Sequence, residues 1–199
     1  MARRLVCVVE GKGDVEALPN LCSRVRDYLG ATDWFVDPQP VRQPRGSLVD
    51  EARPSPNRPC RTDGAGRAVQ LALSRPADGI LLTCDADDDC PAVWGPSAKE
   101  VVTRRAQGDA VMVVREYEAW LLHAFDESDL ARAGITDPER IRGAKEKLRK
   151  LVPGYKPTTH QLEITRKIDI ERLRRASDSF DKLVRSLATI FGVTPPDRA

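Results

Sequence analysis

A short apolar run followed at once by a cluster of aspartates is the feature that most limits how this sequence folds. Residues 79–84 read Gly-Ile-Leu-Leu-Thr-Cys, and four carboxylates follow within five residues, at Asp85, Asp87, Asp88 and Asp89. In extended backbone Asp85, Asp87 and Asp89 point to one side, so their charges repel unless a cation lies among them. Oxygen ligands suit Mg²⁺, Mn²⁺ or Ca²⁺. The pattern predicts a metal site at the carboxyl end of a central strand; the alternative is a solvated acidic turn, the commoner explanation of a lone Asp-x-Asp.

Two further strand ends also carry acids. Residues 3–9 form a β-branched, apolar run that ends at Glu10, and residues 110–114 form another that is followed by Glu116 and Glu118. Helical patterns alternate with these strands, which predicts an α/β fold with a mainly parallel sheet flanked by helices. Parallel neighbouring strands bring their carboxyl ends to one edge, where α/β proteins bind ligands. We therefore expect the acids to form one site.

The carboxyl-terminal third has a helical and basic pattern. Residues 140–185 hold fourteen Lys or Arg against six Asp or Glu, although the whole chain has a formal net charge of only +2. We predict helices at 138–151, 161–175 and 179–191. The predicted organisation is an α/β core at 1–126 and a helical, basic extension at 127–199 packed on that core. The surplus of positive charge favours a phosphate-binding surface, with solvated helix faces as the alternative.

A stretch rich in arginine and proline interrupts the predicted core at residues 42–67. It is too polar for a core and long for a connection, so we predict a loop that is ordered by substrate, with a solvated linker equally open. Arginine suits phosphate because its planar fork donates two parallel hydrogen bonds. The candidate nucleic-acid-binding residues are Lys12, Arg42, Arg45, Arg61 and Arg67. A weak strand is predicted at 34–41, at an edge because it contains Pro38 and Pro40, and a helix at 97–107.

The sequence contains no apolar run of membrane-spanning length and no leader pattern at its start. We therefore expect a cytoplasmic protein without a membrane partner. The oligomeric state stays open, a homo-oligomer included.

The order of the acidic motifs resembles that of the Toprim fold, which topoisomerases, bacterial primases and nucleases of the overcoming-lysogenization-defect type share. The motifs are Glu10-Gly11 at the end of the first strand and Asp85-Ala86-Asp87 after a later one. Three further segments, at residues 9–14, 118–122 and 177–180, resemble more narrowly a family of short bacterial Toprim-like proteins. The broad resemblance covers residues 3–125, and the narrow one covers nearly the whole chain.

The resemblance implies a phosphodiester chemistry that depends on one or two Mg²⁺ or Mn²⁺ ions. It assigns acid/base chemistry and metal binding to Glu10, metal binding to Asp85 and Asp87, and a third acid to Asp89. The narrower match adds Glu118 as a ligand and leaves open whether Glu116 or Glu118 faces the metal. Toprim nucleases also use a basic residue near the scissile phosphate, and Lys156 is the candidate for that role.

The resulting hypothesis is a Mg²⁺-dependent nuclease acting on DNA or RNA. A Toprim topoisomerase needs a tyrosine nucleophile on a separate domain, whereas Tyr28, Tyr117 and Tyr155 all lie in this one small chain, which favours hydrolysis. Toprim nucleases of bacterial antiphage defence often work beside an ATPase, and because the sequence has no GxxxxGK[ST] loop, that ATPase would be a separate chain. The alternative hypothesis is a catalytically inactive subunit that binds nucleic acid or docks a partner.

Overall fold

The computed structural model describes residues 2–48 and 63–198. Its strands are β1 (Arg3–Val9), β2 (Trp34–Val36), β3 (Val41–Arg42), β4 (Gly79–Asp85) and β5 (Gly108–Val113). Its helices are α1 (Asp14–Tyr28), α2 (Arg45–Leu48), α3 (Asp63–Leu73), α4 (Pro91–Thr103), α5 (Tyr117–Leu122), α6 (Glu127–Arg132), α7 (Ala144–Leu151), α8 (Pro157–Thr165), α9 (Ile170–Ala176) and α10 (Asp178–Phe191). The predicted α/β class is confirmed.

All the described strands pair in parallel in one sheet. Its order is β2-β1-β4-β5, and β3 pairs with the carboxyl half of β1 beyond β2. In the register of the sheet, Val8 of β1 lies beside Leu82 of β4, and Asp85 of β4 lies beside Val113 of β5. The residues that follow β1, β4 and β5 therefore leave the sheet at the same edge.

The side chains of the strands alternate between two apolar layers, as a period of two requires. Leu5, Cys7 and Val9 pack with helices α1, α5 and α7 to α10 on one face, while Val6 and Val8 pack with α3 and α4 on the other. Every one of these β1 side chains is fully buried, which fits a central strand covered on both faces.

The C-terminal helices contribute directly to one of these layers. Phe180, Leu183 and Leu187 of α10 belong to the same apolar cluster as Leu5 and Val111 of the sheet. Lys182 and Ser186 also donate to the buried carboxylate of Asp109, both at 2.9 Å. The division of the chain at residue 126 stays a prediction.

Several predicted element bounds are corrected. The strand predicted at 34–41 is two short strands, and their pairing at the outer side of β1 agrees with an edge. Helix α4 begins at Pro91, since proline is compatible with a first helical turn, and continues through Pro96. The helix predicted at 138–151 begins only at Ala144, because Gly143 before it has a left-handed backbone with φ +66°.

The helix predicted at 161–175 is two helices, α8 and α9. The side chain of Asp169 caps the second, accepting a hydrogen bond from the backbone N–H of Arg172 at 2.9 Å. The 42–67 loop prediction is wrong where α2 and the start of α3 are helical, and its part at 49–62 lies outside the described residues. In the part of the chain that the structure describes, none of the helices is long and apolar enough to cross a membrane.

Candidate metal centre at the strand ends

Glu10 and Asp85 meet at the carboxyl edge of the sheet. Glu10 follows β1 directly, and its Oε2 accepts a hydrogen bond from the backbone N–H of Asp85 at 3.1 Å. Burial raises the pKa of Glu10, although the Asp85 N–H and the charge of Arg45 act to lower it. The two strand ends are therefore joined through a carboxylate that has lost much of its water.

Asp85, the last residue of β4, is partly buried among the other acids. Its Oδ1 accepts from the backbone N–H of Tyr117 at 3.0 Å, a contact that joins β4 to the start of α5. Burial moves the pKa of Asp85 well above its usual range, and the charges of Asp14, Glu10 and Glu118 push in the same direction. The bond from Tyr117 fixes the orientation of a carboxylate whose neighbours are also acids.

Asp14 is a member of this cluster that the sequence analysis did not identify. It begins α1, and its carboxylate turns back to accept from the backbone N–H of Gly11 at 2.9 Å and from Gln161 Nε2 at 2.6 Å. Burial raises its pKa despite these two bonds. An acid four residues after Glu10, across the turn from strand to helix, is the signal that would have identified it.

Glycine at position 13 permits this arrangement. A Cβ there would lie 2.7 Å from Pro157 Cβ and would collide with the Gln161 side chain. Gln161 itself is 1% exposed. The first turn of α1 and helix α8 are therefore in direct contact, and α8 supplies the hydrogen bond that orients Asp14.

Glu118 is buried at the same edge, whereas Glu116 turns toward α7. Burial raises the pKa of Glu118 to about 7, with the charge of Glu116 adding to the effect, and Tyr155 donates its hydroxyl to Glu118 Oε1 at 3.3 Å. Glu116 Oε1 accepts from the backbone N–H of Lys145 at 3.5 Å. Of the two acids left open by the sequence, Glu118 is the one whose charge acts on Asp85.

The acidic run after β4 is not extended, contrary to the prediction. The strand ends at Asp85, and Asp87 has a left-handed backbone with φ +49°. Asp88 turns outward, to Arg115 at 2.8 Å and Arg142 at 3.0 Å. Asp87 and Asp89 instead contact Arg45.

The guanidinium of Arg45 lies among these acids. Its Nη2 is 2.5 Å from Asp89 Oδ2, its Nε is 3.4 Å from Asp87 Oδ2, and its Nη1 is 3.9 Å from Glu10 Oε2. It also donates to the backbone carbonyls of Asp85 and Ala86. Arg45, predicted to bind nucleic acid, thus lies inside the acidic cluster with 15% of its side chain exposed.

The other predicted basic residues lie outside this cluster. Lys12 and Arg42 are exposed and line one side of a depression of about 310 Å³ beside Pro157. Lys156 is exposed just before α8, between Tyr155 and Pro157, which both contact elements of the site. Arg67 is exposed on α3, and Arg61 lies outside the described residues.

A family match covers most of the chain. The family described as Domain of unknown function (DUF4276) matches residues 9–188. The chain belongs to this family. Comparison with curated proteins and with solved structures finds no match. The region shared with the DUF4276 family begins at Val9, and therefore includes every acid of the cluster described above.

The acids of this DUF4276 member suit a hard divalent ion by their chemistry. Glu10, Asp14, Asp85 and Glu118 offer only oxygen, which Mg²⁺ and Mn²⁺ prefer. Burial raises the pKa values of all four, and the charges of neighbouring acids add to the effect at Glu10, Asp85 and Glu118. Within residues 2–48 and 63–198, no three His, Cys, Asp or Glu side chains are already arranged around a common metal position. The chemistry of these side chains suits a divalent ion, but their positions in this structure do not form a closed coordination shell.

Proposed function

We propose that this protein is a divalent-metal-dependent nuclease that hydrolyses phosphodiester bonds in DNA or RNA. One observation carries the proposal: acids that follow three neighbouring parallel strands lie at the same edge of the sheet, with Glu10 and Asp85 in direct hydrogen-bond contact. The charges of Asp14, Glu10 and Glu118 repel that of Asp85, and a fold that gathers these carboxylates gives up stability. A bound cation offsets that cost.

The residues that would hold the ion are Asp14, Asp85, Asp87 and Glu118. Mg²⁺ or Mn²⁺, as one or two ions, would supply positive charge that stabilises the charge developing on the phosphate oxygens. Asp85 and Asp14 are oriented by Tyr117 and Gln161 respectively, so the carboxylates face the site in fixed directions. Asp89 lies farther out, against Arg45, and belongs to the rim.

Glu10 would act as the proton acceptor for the attacking water. Burial raises its pKa, which makes its carboxylate a stronger base than an exposed glutamate. The N–H of Asp85 binds one of its oxygens, and the other is free of that bond to receive a proton. Lys156, exposed beside the site, would contact the phosphate being cleaved.

Basic residues on both sides of the acids would bind the nucleic-acid backbone. Lys12 and Arg42 line the depression on the α1 and α8 side, while Arg115 and Arg142 line one of about 180 Å³ beside Asp87 and Glu116. A backbone that crosses from one depression to the other would pass over the acidic cluster. Binding of this kind weakens as salt concentration rises.

The proposal extends to the wider class of protein. An acid-Gly pair after β1 and an Asp-x-Asp after the adjacent β4 are in the order found in Toprim nucleases, which supports a Toprim-like enzyme. On that basis we propose a cytoplasmic effector of antiphage defence that works with an ATPase on a separate chain.

A second candidate function is a binding module without catalysis. The observation that favours it is the guanidinium of Arg45 among Glu10, Asp87 and Asp89, because a permanent internal cation would make a metal unnecessary. Such a protein would bind nucleic acid or a partner protein through its basic surfaces and leave the phosphodiester intact.

Cleavage by two isosteric variants separates the two functions. Full-length protein is incubated with single-stranded DNA, duplex DNA and RNA in Mg²⁺ or Mn²⁺. The nuclease proposal expects cleavage by the unaltered protein and a loss of at least about 100-fold in Glu10→Gln and Asp85→Asn. The matched control is Asp78→Asn, which makes the same change just before β4, at the opposite edge of the sheet, and should leave cleavage unchanged.

Two results contradict the nuclease proposal. One is equal cleavage by the unaltered protein, Glu10→Gln and Asp85→Asn, which would indicate a contaminating enzyme. The other is salt-dependent binding of nucleic acid with no turnover in either metal, which would establish the binding module instead.

A further inference from the structure

Arg45 is bound by the acidic cluster at five points, which is unusual for a residue of a short surface helix. Arg45 is the first residue of α2, and its guanidinium lies against the carboxylates of Glu10, Asp87 and Asp89. The remaining contacts go to the carbonyls of Asp85 and Ala86, the latter at 3.1 Å. Acids from the ends of both β1 and β4 thus share one cation supplied by the chain itself.

This arrangement differs from an ordinary surface ion pair. Exposed pairs contribute little because water screens both charges. The Arg45 side chain is only 15% exposed and that of Glu10 is 20% exposed, whereas the side chains of Asp87 and Asp89 are 61% and 50% exposed. The shielding from water is therefore on the Arg45 and Glu10 side of the cluster. An arginine guanidinium keeps its proton in proteins, so the positive charge persists where Arg45 lies against Glu10 and Asp87.

A divalent ion held by the proposed ligands would share the Asp87 carboxylate with Arg45 and would lie close to Glu10, which Arg45 also contacts. Mg²⁺ or Mn²⁺ binds carboxylate oxygens at about 2–2.2 Å, and Arg45 already lies 3.4 Å from Asp87 Oδ2 and 3.9 Å from Glu10 Oε2. An ion among these oxygens would lie next to the guanidinium, and two positive centres at that separation repel strongly outside bulk water. The two cations therefore compete for this part of the acidic cluster.

We propose that Arg45 is a resident counter-ion that holds the metal-free acids together and must leave them before Mg²⁺ binds. The inference rests on the proposed function and adds a regulatory step to it. With a divalent ion bound, the Arg45 side chain would leave Glu10 and Asp87 and its guanidinium would be free at the rim of the site. Its planar fork is suited to bind a phosphate of the incoming substrate there.

Titration with Mn²⁺ alone tests the inference without any measurement of cleavage. Arg45→Gln removes the competing charge, so its Mn²⁺ dissociation constant, measured by electron paramagnetic resonance of the full-length protein, should fall at least about tenfold relative to the unaltered chain. The metal-free variant should also melt at a lower temperature, and the rise in melting temperature on adding Mn²⁺ should be larger than in the unaltered protein.

Arg142→Gln is the matched control for electrostatics at long range. It removes the same charge from the neighbourhood of the acids, but Arg142 contacts only the outward-facing Asp88 among them, at 3.0 Å. Its Mn²⁺ affinity should stay within about twofold of the unaltered chain. Arg45→Lys keeps the positive charge but lacks the planar guanidinium, and its Mn²⁺ affinity should lie between those of the unaltered chain and Arg45→Gln. If Arg45→Gln does not fold, the Mn²⁺ affinity of Arg45→Lys tests the inference instead.

The outcomes separate this inference from the proposed function. No Mn²⁺ binding by the unaltered protein and by both Arg45 variants overturns the metal-dependent function. Binding by the unaltered protein that is unchanged or weaker in Arg45→Gln, or equally tightened in Arg142→Gln, overturns the role of Arg45 alone.

Discussion

Asp85 is a partly buried carboxylate whose neighbours include other carboxylates. The charges of Asp14, Glu10 and Glu118 all raise its pKa, in addition to the effect of burial. Its hydrogen bond from Tyr117 needs only an oxygen acceptor and no charge. The residue is therefore retained at a cost in stability, which is a common property of residues that serve a function rather than the fold.

Asp85→Asn should stabilise the metal-free protein. The amide oxygen can still accept from the Tyr117 N–H, while the repulsion from neighbouring acids disappears. We expect the free energy of unfolding at pH 8 to rise by on the order of 1 kcal/mol, measured by urea denaturation with a chelator present. Asp78→Asn, at the exposed end of the same strand, should change it little. A clear loss of stability in Asp85→Asn would mean that its charge supports the fold.

The sequence made part of the site predictable at this scale. Glu10, Asp85 and Glu118 were predicted because each follows a recognisable buried strand. Asp14 was not predicted, since the sequence does not reveal that its side chain turns back to Gly11 and Gln161, the latter 147 residues away. The contacts of Arg45 could not be predicted from the sequence either, because they depend on where α2 packs against the sheet.

At the scale of elements, helix α8 completes a site built by strands far away in sequence. Gln161 binds Asp14, and just before the helix the hydroxyl of Tyr155 binds Glu118. Thr165 of the same helix contacts the Tyr117 hydroxyl at 3.1 Å without touching a carboxylate of the cluster. Gln161 therefore orients an acid of the cluster, whereas the side chain of Thr165 stabilises the contact between α8 and Tyr117.

Gln161→Met should separate those two contributions. Methionine has a similar volume but cannot donate to Asp14, so Mn²⁺ affinity should fall about three- to tenfold. Thr165→Val removes a buried hydrogen bond from the same helix and should cost a similar amount of stability, about 1 kcal/mol. Gln161 is a positioning residue if only Gln161→Met weakens Mn²⁺ binding in calorimetric titrations. Equal affinities in the two variants would assign it to packing.

The positions of strands were more predictable than those of helices. Strands β1, β4 and β5 are continuous apolar runs, as expected of strands buried on both faces. The helices predicted at 138–151 and 161–175 were too long, because the left-handed backbone of Gly143 and the cap of Asp169 are decided by local geometry that hydrophobic spacing does not report.

For the whole molecule, one parallel sheet brings distant parts of the chain to a common edge. The acids come from residues at or after the ends of β1, β4 and β5, and two of them, Asp14 and Glu118, accept hydrogen bonds from Gln161 and Tyr155 of the C-terminal part of the chain. The apolar layer that contains Leu5 and Val111 is completed by Leu183 and Leu187 of α10. The basic C-terminal helices therefore belong to the packing that holds the acidic cluster in place.

The central claim is that the clustered acids bind a divalent ion, and anomalous diffraction from crystals of the full-length protein soaked in Mn²⁺ tests it most directly. We predict an anomalous peak within about 2–2.5 Å of carboxylate oxygens of Asp85 and at least one of Asp14, Asp87 and Glu118, with the Arg45 side chain moved away from Glu10. The absence of a peak at the strand ends at saturating Mn²⁺, with Arg45 still bound to Glu10, Asp87 and Asp89, would contradict the account.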